Sequence, residues 1–186
     1  MAKVDALTAE QARQLIDYDP ETGMMTWKPR TPDMFEPKGK KSASHICAWW
    51  NAQFAGKPAG CVNSKGYIVL GVYDVLYLAH RVAWLIMTGK WPEDQIDHED
   101  TDRANNRWGN LREATASQNL ANRAAPSSNS SGFKGVSWHK KTGKWAASIK
   151  KMGKTIHLGQ FDTPEAAGSA YASATEHLNG EFARVV

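Results

Sequence analysis

The stretch Gln95–Arg123, QIDHEDTDRANNRWGNLREATASQNLANR, sets Asp97 beside His98, Asn110 thirteen residues after Asp97, and Asn119 nine residues further on. It is not core-building sequence. Its twenty-nine residues hold five Asn and a dense set of charges, and its large apolar side chains are Ile96, Trp108, Leu111 and Leu120. So little apolar surface does not repay the entropy of ordering the segment. Its polar groups need another source of order, and a divalent cation with a phosphate supplies one.

Hard divalent cations take oxygen ligands, and magnesium at phosphoryl-transfer sites uses one or two protein oxygens, with water and substrate phosphate completing its shell. Asp97 and Asn119 are the candidate ligands. One divalent ion is expected, magnesium or manganese, because oxygen donors suit both. Hydrolysis also needs a group that takes a proton from water near neutral pH, and histidine is the side chain that titrates there. His98 is that candidate. Neighbours on an extended strand point to opposite faces, so Asp97 and His98 flank one phosphodiester only from a bent strand or a hairpin. The turn-prone HEDTDRANN supplies the bend.

The pattern DH, then NNR and NLR, then a final Asn resembles the HNH endonucleases of the ββα-metal class, in particular the phage-type branch related to intron-encoded homing nucleases. The upstream HRVAW (His80–Trp84) and the GKWP turn (Gly89–Pro92) match the same branch. The resemblance implies Asp97 and Asn119 as metal ligands, His98 as general base and Asn110 as the Asn that stabilises the loop, with a catalytic core at about 76–123. Taken alone, an Asp-His pair is a solvated loop feature, and Asn110 reads equally well as the cap of a helix starting near Leu111. His80 opens an amphipathic helix and reads as a packed or capping residue rather than a ligand. Arg107 and Arg112 are candidates for a phosphate clamp or for ordinary ion pairs.

Charge is distributed unevenly. Residues 1–126 hold fifteen basic and fifteen acidic side chains, whereas residues 127–186 hold eight basic and four acidic, which accounts for the whole net charge of +4. Clustered Lys of this kind reads as a footprint for a polyanion. In KWAASIKK, Trp145, Ala147 and Ile149 alternate with Ala146, Ser148 and Lys150, and in KTIHLG, Ile156 and Leu158 alternate with Thr155 and His157. That is the period of strands with one buried face. Three short strands are predicted, with turns near Thr142–Gly143 and Met152–Gly153. A helix follows, capped by Thr163 with Pro164 at its first position and an Ala-rich stripe of Ala166, Ala167, Ala170, Tyr171, Ala174 and Leu178.

The words GFKGVSW, GKWAASI, LGQFDTPEAA and AYASA resemble the ethylene-response-factor (APETALA-type) DNA-binding domain, over about Ser131 to Phe182. Such domains lay their sheet in the major groove. The resemblance places DNA-facing positions at Lys134, Ser137, His139, Ser148, Lys150, Thr155 and His157. Lys, Ser, His and Thr stand where relatives carry Arg. Without that rigid fork, phosphate contact is expected rather than base reading. Trp138 and Trp145 are expected to pack.

The fold class expected is α+β: a ββα-metal nuclease domain at 1–125, a linker at 126–132 within Ala125–Gly132, and a three-stranded antiparallel sheet with one helix at 133–186. Thr8-x-x-Gln11 reads as a capping box opening a helix to about Asp17, DPETGMMTW as a turn into a strand, and Gly60–Ala79 as two strands. Residues 28–57 suggest no function. Cys47 and Cys61 are isolated, which disfavours a zinc site or disulfide framework. The chain shows neither a signal peptide nor a long apolar run. A cytoplasmic protein is expected, and the phage-like character implies the host bacterial cytoplasm. The partner is double-stranded DNA, with no membrane and no small-molecule cofactor beyond the metal, and the protein acts as a monomer or homodimer. The function expected is metal-dependent hydrolysis of DNA phosphodiesters. The alternatives are a DNA-binding regulator with an inactive nuclease fold, and an RNA-directed nuclease or binder, which A-form grooves disfavour.

Overall fold

Thr8 Oγ1 accepts from Gln11 N and Gln11 Oε1 accepts from Thr8 N, a reciprocal capping box that opens α1 (Ala9–Leu15). The helix stops short of Asp17 because the backbone turns extended at Ile16, which begins β1 (Ile16–Tyr18). The computed structural model describes residues 7–122, 129–151 and 153–182. They fall into two compact units, Met1–Arg112 and Glu113–Val186.

In the first unit, β1 pairs antiparallel with β2 (Met25–Trp27), as the DPETG turn predicts. Asp19 shapes that turn, its carboxylate accepting from Glu21 N at 2.9 Å and Thr22 Oγ1 at 2.7 Å. Gly23 closes it at φ +74, and a Cβ there would lie 2.4 Å from Arg107 N and 2.5 Å from the Asn106 carbonyl carbon. The hairpin tip therefore abuts the backbone of Asn106–Arg107, and only glycine fits. Gly23→Ala adds a left-handed backbone penalty to a clash with main chain, so it should destabilise the first unit by about 2 kcal/mol or more. A urea midpoint unchanged from wild type would show that the hairpin tip can move away.

α2 (Ala43–Phe54) follows, capped by Ser42. Gly60–Ala79 holds three strands rather than two: β3 (Cys61–Val62), β4 (Ile68–Val72) and β5 (Val75–Leu78) form one antiparallel sheet. The extra strand is a two-residue edge, too short to show a period. α3 (Ala79–Thr88) ends on Gly89 in the left-handed conformation. Its face of Ala79, Val82, Ala83 and Leu85 packs with Leu7, Leu15, Ile16, Leu70 and Val72 into the core of this unit. β6 (Gln95–His98) pairs with β7 (Leu111–Ala114), and a 3-10 turn, Trp108–Asn110, precedes β7. The helix expected near Leu111 is thus a strand, since Leu111 and Ala114 are buried. The helix α4 (Ala116–Asn122) starts only after Thr115, which makes a capping box with Gln118.

The boundary between units falls within β7, ahead of the predicted linker. Residues 123–128 of that region lie outside the described residues. Asn129 and Ser131, read as linker, are hydrogen-bonded into the second unit: Asn129 Nδ2 donates to Phe133 O at 2.7 Å and Ser131 Oγ to Val136 O at 3.0 Å. There β8 (Val136–His139), β9 (Lys144–Lys151) and β10 (Lys154–Phe161) form the expected antiparallel sheet, ordered β10-β9-β8. Of the predicted second turn, Met152 lies outside the described residues. Thr163 Oγ1 accepts from Ala166 N and caps α5 (Pro164–Asn179), which packs on β9 and β10. Its inner face differs in detail from the predicted stripe. Ala166 is exposed, while Ala167, Tyr171 and Thr175 are buried. Gly135 lets the helix approach, because a Cβ there would meet the Tyr171 ring at 2.2 Å. Among the described residues, no helix is long and apolar enough to cross a membrane.

Candidate active site and nucleic-acid face

Strand β6 carries Ile96, Asp97 and His98 all buried, a run that breaks the alternation of an ordinary edge strand. The chain bends immediately afterwards. Glu99 N donates to Asn110 O at 3.0 Å, and Thr101 takes a positive φ of 67. Asn110 fastens this loop with its side chain: its Oδ1 accepts from Asp100 N at 3.0 Å, and its Nδ2 donates to Asp100 Oδ1 at 3.0 Å and Asn105 O at 2.8 Å. It therefore ties the loop across its base and caps no helix. Burial opposes ionisation of Asp100, but hydrogen bonds from Asn105, Asp102 N and Asn110 outweigh it and hold its pKa below the usual carboxylate value.

His98 is held by a residue the sequence reading passed over. Its Nε2 lies 3.1 Å from Asn106 Oδ1. Placed with its oxygen toward the ring, the Asn106 amide accepts from Nε2–H, the tautomer in which Nδ1 is the basic nitrogen. Asn106 is itself 1% exposed, and its backbone carbonyl accepts from Tyr18 Oη at 2.8 Å. Trp108 N donates to Pro20 O at 2.9 Å. The β1–β2 hairpin thus braces the loop that orients the imidazole. In the sequence Asn106 is only one of the turn-prone residues of HEDTDRANN, with nothing to mark it as buried.

His80 packs, as predicted, but it packs on His98. The two rings meet edge-to-face at 4.9 Å and 84°, and Tyr67 lies 5.3 Å from His80 and 6.0 Å from His98. Burial, then the His98 and Arg81 charges, push the His80 pKa down to about 3, and its buried Nδ1 has no hydrogen-bond partner among the described residues. Burial also lowers the His98 pKa, against the Asn106 hydrogen bond and the charges of Asp100 and Asp97. His80 folds neutral, so the unfolded chain takes up the proton first. The stability this gives is complete above the ordinary value of 6.5 and is lost as pH falls toward about 3, by up to about 1.4 kcal/mol per pH unit. His80→Phe keeps the ring packing and should flatten the decline of the urea midpoint between pH 6.5 and pH 4. An identical decline in both proteins would remove His80 as its source.

The Asp97 carboxylate is paired with Arg112, whose Nη2 and Nε lie 3.0 and 3.1 Å from Oδ2, and Arg112 Nη1 reaches Glu99 at 3.9 Å. Of the two arginines weighed as clamps, Arg112 is therefore in an ion pair. Arg107 is exposed and makes no ion pair among the described residues. It lines a cleft of about 710 Å³ with Pro20, Glu21, Met87, Asp100 and Trp108, which neither Asp97 nor His98 lines. Asp97 fits a hard cation as a buried oxygen donor, sharing its carboxylate with Arg112. Among the described residues, no group of three or more His, Cys, Asp or Glu side chains could hold a metal. Any cation here must rely on water and phosphate for most of its shell. Asn119 lies on α4, in the second unit, its backbone N donating to Thr115 O at 3.0 Å.

Within the second unit, register brings most of the predicted DNA-facing residues together. Ser148 stands opposite His157 and Lys150 opposite Thr155 on β9 and β10, while Ser137 and His139 stand opposite Ala146 and Lys144 on β8 and β9. Directly opposed residues share a face, and these lie on the face away from Ala147 and Ile149, which are buried. Lys134 precedes β8, and its Nζ donates to the Ala121 carbonyl. Ile156 is 40% exposed although it pairs with buried Ile149, because β10 is an edge strand and its register shifts between His157 and Gly159. Trp138 and Trp145 pack edge-to-face at 5.2 Å.

The HNH endonuclease family model matches residues 77–121, and the AP2 domain model matches residues 131–181. Protein 3.8 of Escherichia phage T7 is 35% identical over 106 residues, 56% of this chain and 87% of that protein. An HNH endonuclease of Acanthamoeba polyphaga mimivirus is 35% identical over 123 residues, 66% of this chain and 63% of that protein. An AP2-like ethylene-responsive transcription factor of Arabidopsis thaliana is 41% identical over 58 residues, 31% of this chain. The chain spans less than two thirds of the mimivirus protein and 12% of the plant factor. No solved structure matches it. With the DH, NNR and NLR residues inside the first matched segment and the sheet and helix inside the second, the chain belongs to the HNH endonuclease family and joins that nuclease unit to an AP2 domain.

Proposed function

We propose that the protein is a metal-dependent endonuclease that hydrolyses phosphodiester bonds of double-stranded DNA. The observation that carries this reading is His98, buried beside Asp97 with its Nε2 3.1 Å from Asn106 Oδ1. In this reading Nδ1 is the nitrogen that takes a proton from water. Desolvation keeps the imidazole unprotonated near neutral pH, the form a general base needs. Asn110 holds the loop, and Arg107 is the side chain available to grip a phosphate.

Asp97 and Asn119 are the oxygen donors proposed for one magnesium or manganese ion, a pairing that rests on the sequence pattern. A cation bound there supplies positive charge against the charge developing on the phosphate and the leaving 3′ oxygen. The open face of the AP2 sheet is the proposed grip on duplex DNA, with Lys150, His157, Ser148, Thr155, Ser137 and His139 on it. It contacts mostly phosphates, because Lys and Ser lack the bidentate fork of Arg. With one active site per chain, a monomer nicks and a homodimer cuts both strands. The setting proposed is the cytoplasm of a bacterial host.

The hold of Arg112 on Asp97 favours one second reading, a DNA-binding regulator whose nuclease unit is inactive. Asp97→Ala decides between them. The endonuclease reading expects magnesium-stimulated nicking to be lost while duplex binding persists, and a Cys47→Ser, Cys61→Ser double variant to cut like wild type. Cleavage retained without Asp97 would overturn the metal assignment.

A further inference from the structure

A Lys-bearing stretch without acidic residues also lies inside the nuclease unit, where the balanced total hides it. Residues 37–73 contain no Asp or Glu, and Lys38, Lys40, Lys41, Lys57 and Lys65 fall among them. Helix α2 is the centre of this stretch. Its inner side is pinned by Arg30: Asn51 Oδ1 accepts from Arg30 N and Asn51 Nδ2 donates to Arg30 O, both at 2.8 Å, while the guanidinium lies 3.9 Å over the Trp50 ring. Its outer side is open. His45, Ala48, Trp49 and Gln53 are exposed there, and Trp49 is 57% exposed, edge-on to Phe54 at 6.2 Å.

The lysines bracket this face. Lys38 and Lys41 exchange two backbone hydrogen bonds of 3.1 Å around Gly39, which fixes a tight turn and gathers Lys38, Lys40 and Lys41 where α2 begins. Lys57 follows its other end. All four are exposed, and none makes an ion pair among the described residues. A helix start favours acidic side chains, yet the first turn of α2 has none and three lysines precede it. The charge of this arrangement is complementary to an anion. Twelve residues of helix span about 18 Å, a length over which duplex DNA carries about ten phosphates.

We propose that the outer face of α2, with Lys38, Lys40, Lys41 and Lys57 on phosphates and Trp49 against the sugar edge between them, is a second DNA-binding surface belonging to the nuclease unit itself. It rests on the reading of the protein as a DNA-cutting enzyme. It gives residues 28–57 a function: they hold the duplex independently of the AP2 sheet.

The test measures affinity of the full chain for one short duplex at several salt concentrations, with chelator present so that no cleavage intervenes. Lys38→Gln, Lys40→Gln, Lys41→Gln together should lower the slope of log affinity against log salt by two to three units, at about 0.9 per contact. Trp49→Ala should weaken binding severalfold and leave the slope alone. Lys90→Gln, on the turn after α3, is the charge control and should change little. Unchanged slope and affinity in the triple and Trp49 variants would overturn the proposal. So would a control that loses as much slope per lysine, or a wild-type dimer that Trp49→Ala converts to monomer, since the face would then join two copies. The two readings fail separately. A wild type that cuts DNA while the triple variant keeps its slope refutes this surface alone. A wild type that binds with the expected slopes but never cuts refutes the enzyme and supports the surface.

Discussion

His98→Ala should abolish cleavage and leave duplex affinity within a few-fold of wild type. A general base acts in the chemical step and contributes about 10²–10⁴ in rate, while adding little to ground-state binding. The structure makes substitution by another group difficult. His98 is 4% exposed, and its neighbour His80, with a pKa pushed down to about 3, is held by packing rather than aimed by a hydrogen bond. The measurement is single-turnover cleavage beside equilibrium binding on the same duplex. Cleavage persisting within a few-fold would exclude His98 as the base.

Asn106→Ala should cost nearly as much, by two routes. It leaves the buried His98 Nε2–H without its acceptor, a penalty of about 1–3 kcal/mol in stability. It also releases the tautomer, so a fraction of the rings presents N–H where the lone pair is needed. A positioning loss of this kind lowers kcat by about 10²-fold with KM little changed. Asn106→Asp restores an acceptor at the same place and should recover much of the rate. Equal losses in the two variants, or a loss confined to KM, would assign Asn106 a purely structural role.

The parts of this site that were legible in the sequence are those written locally. Asp97 and His98 are adjacent and the loop that follows is turn-prone, whereas the role of Asn110 came from the family resemblance, its local reading as a helix cap giving way to hydrogen bonds with Asp100 and Asn105. Asn106 was not legible. Its burial depends on Tyr18, Pro20 and Gly23, some eighty residues away, and nothing in NNR marks which Asn turns inward. The strand at Leu111 was missed for a similar reason. LREA is too short to show a period, and pairing with β6 decides its conformation. In the second unit, alternation read β9 correctly because both its neighbours are present. It overestimated the burial of Ile156 on β10, where a shift in register and an open edge expose the side chain. The charge total was informative for residues 127–186 and misleading for residues 1–126, where acidic segments elsewhere cancel the lysines around α2.

Incubation of the full-length protein with supercoiled plasmid decides whether the chain cuts DNA. Magnesium should give conversion to nicked or linear plasmid at substoichiometric enzyme, and chelator should prevent it. Stable binding of the plasmid with no strand scission under magnesium or manganese would rule the endonuclease reading out.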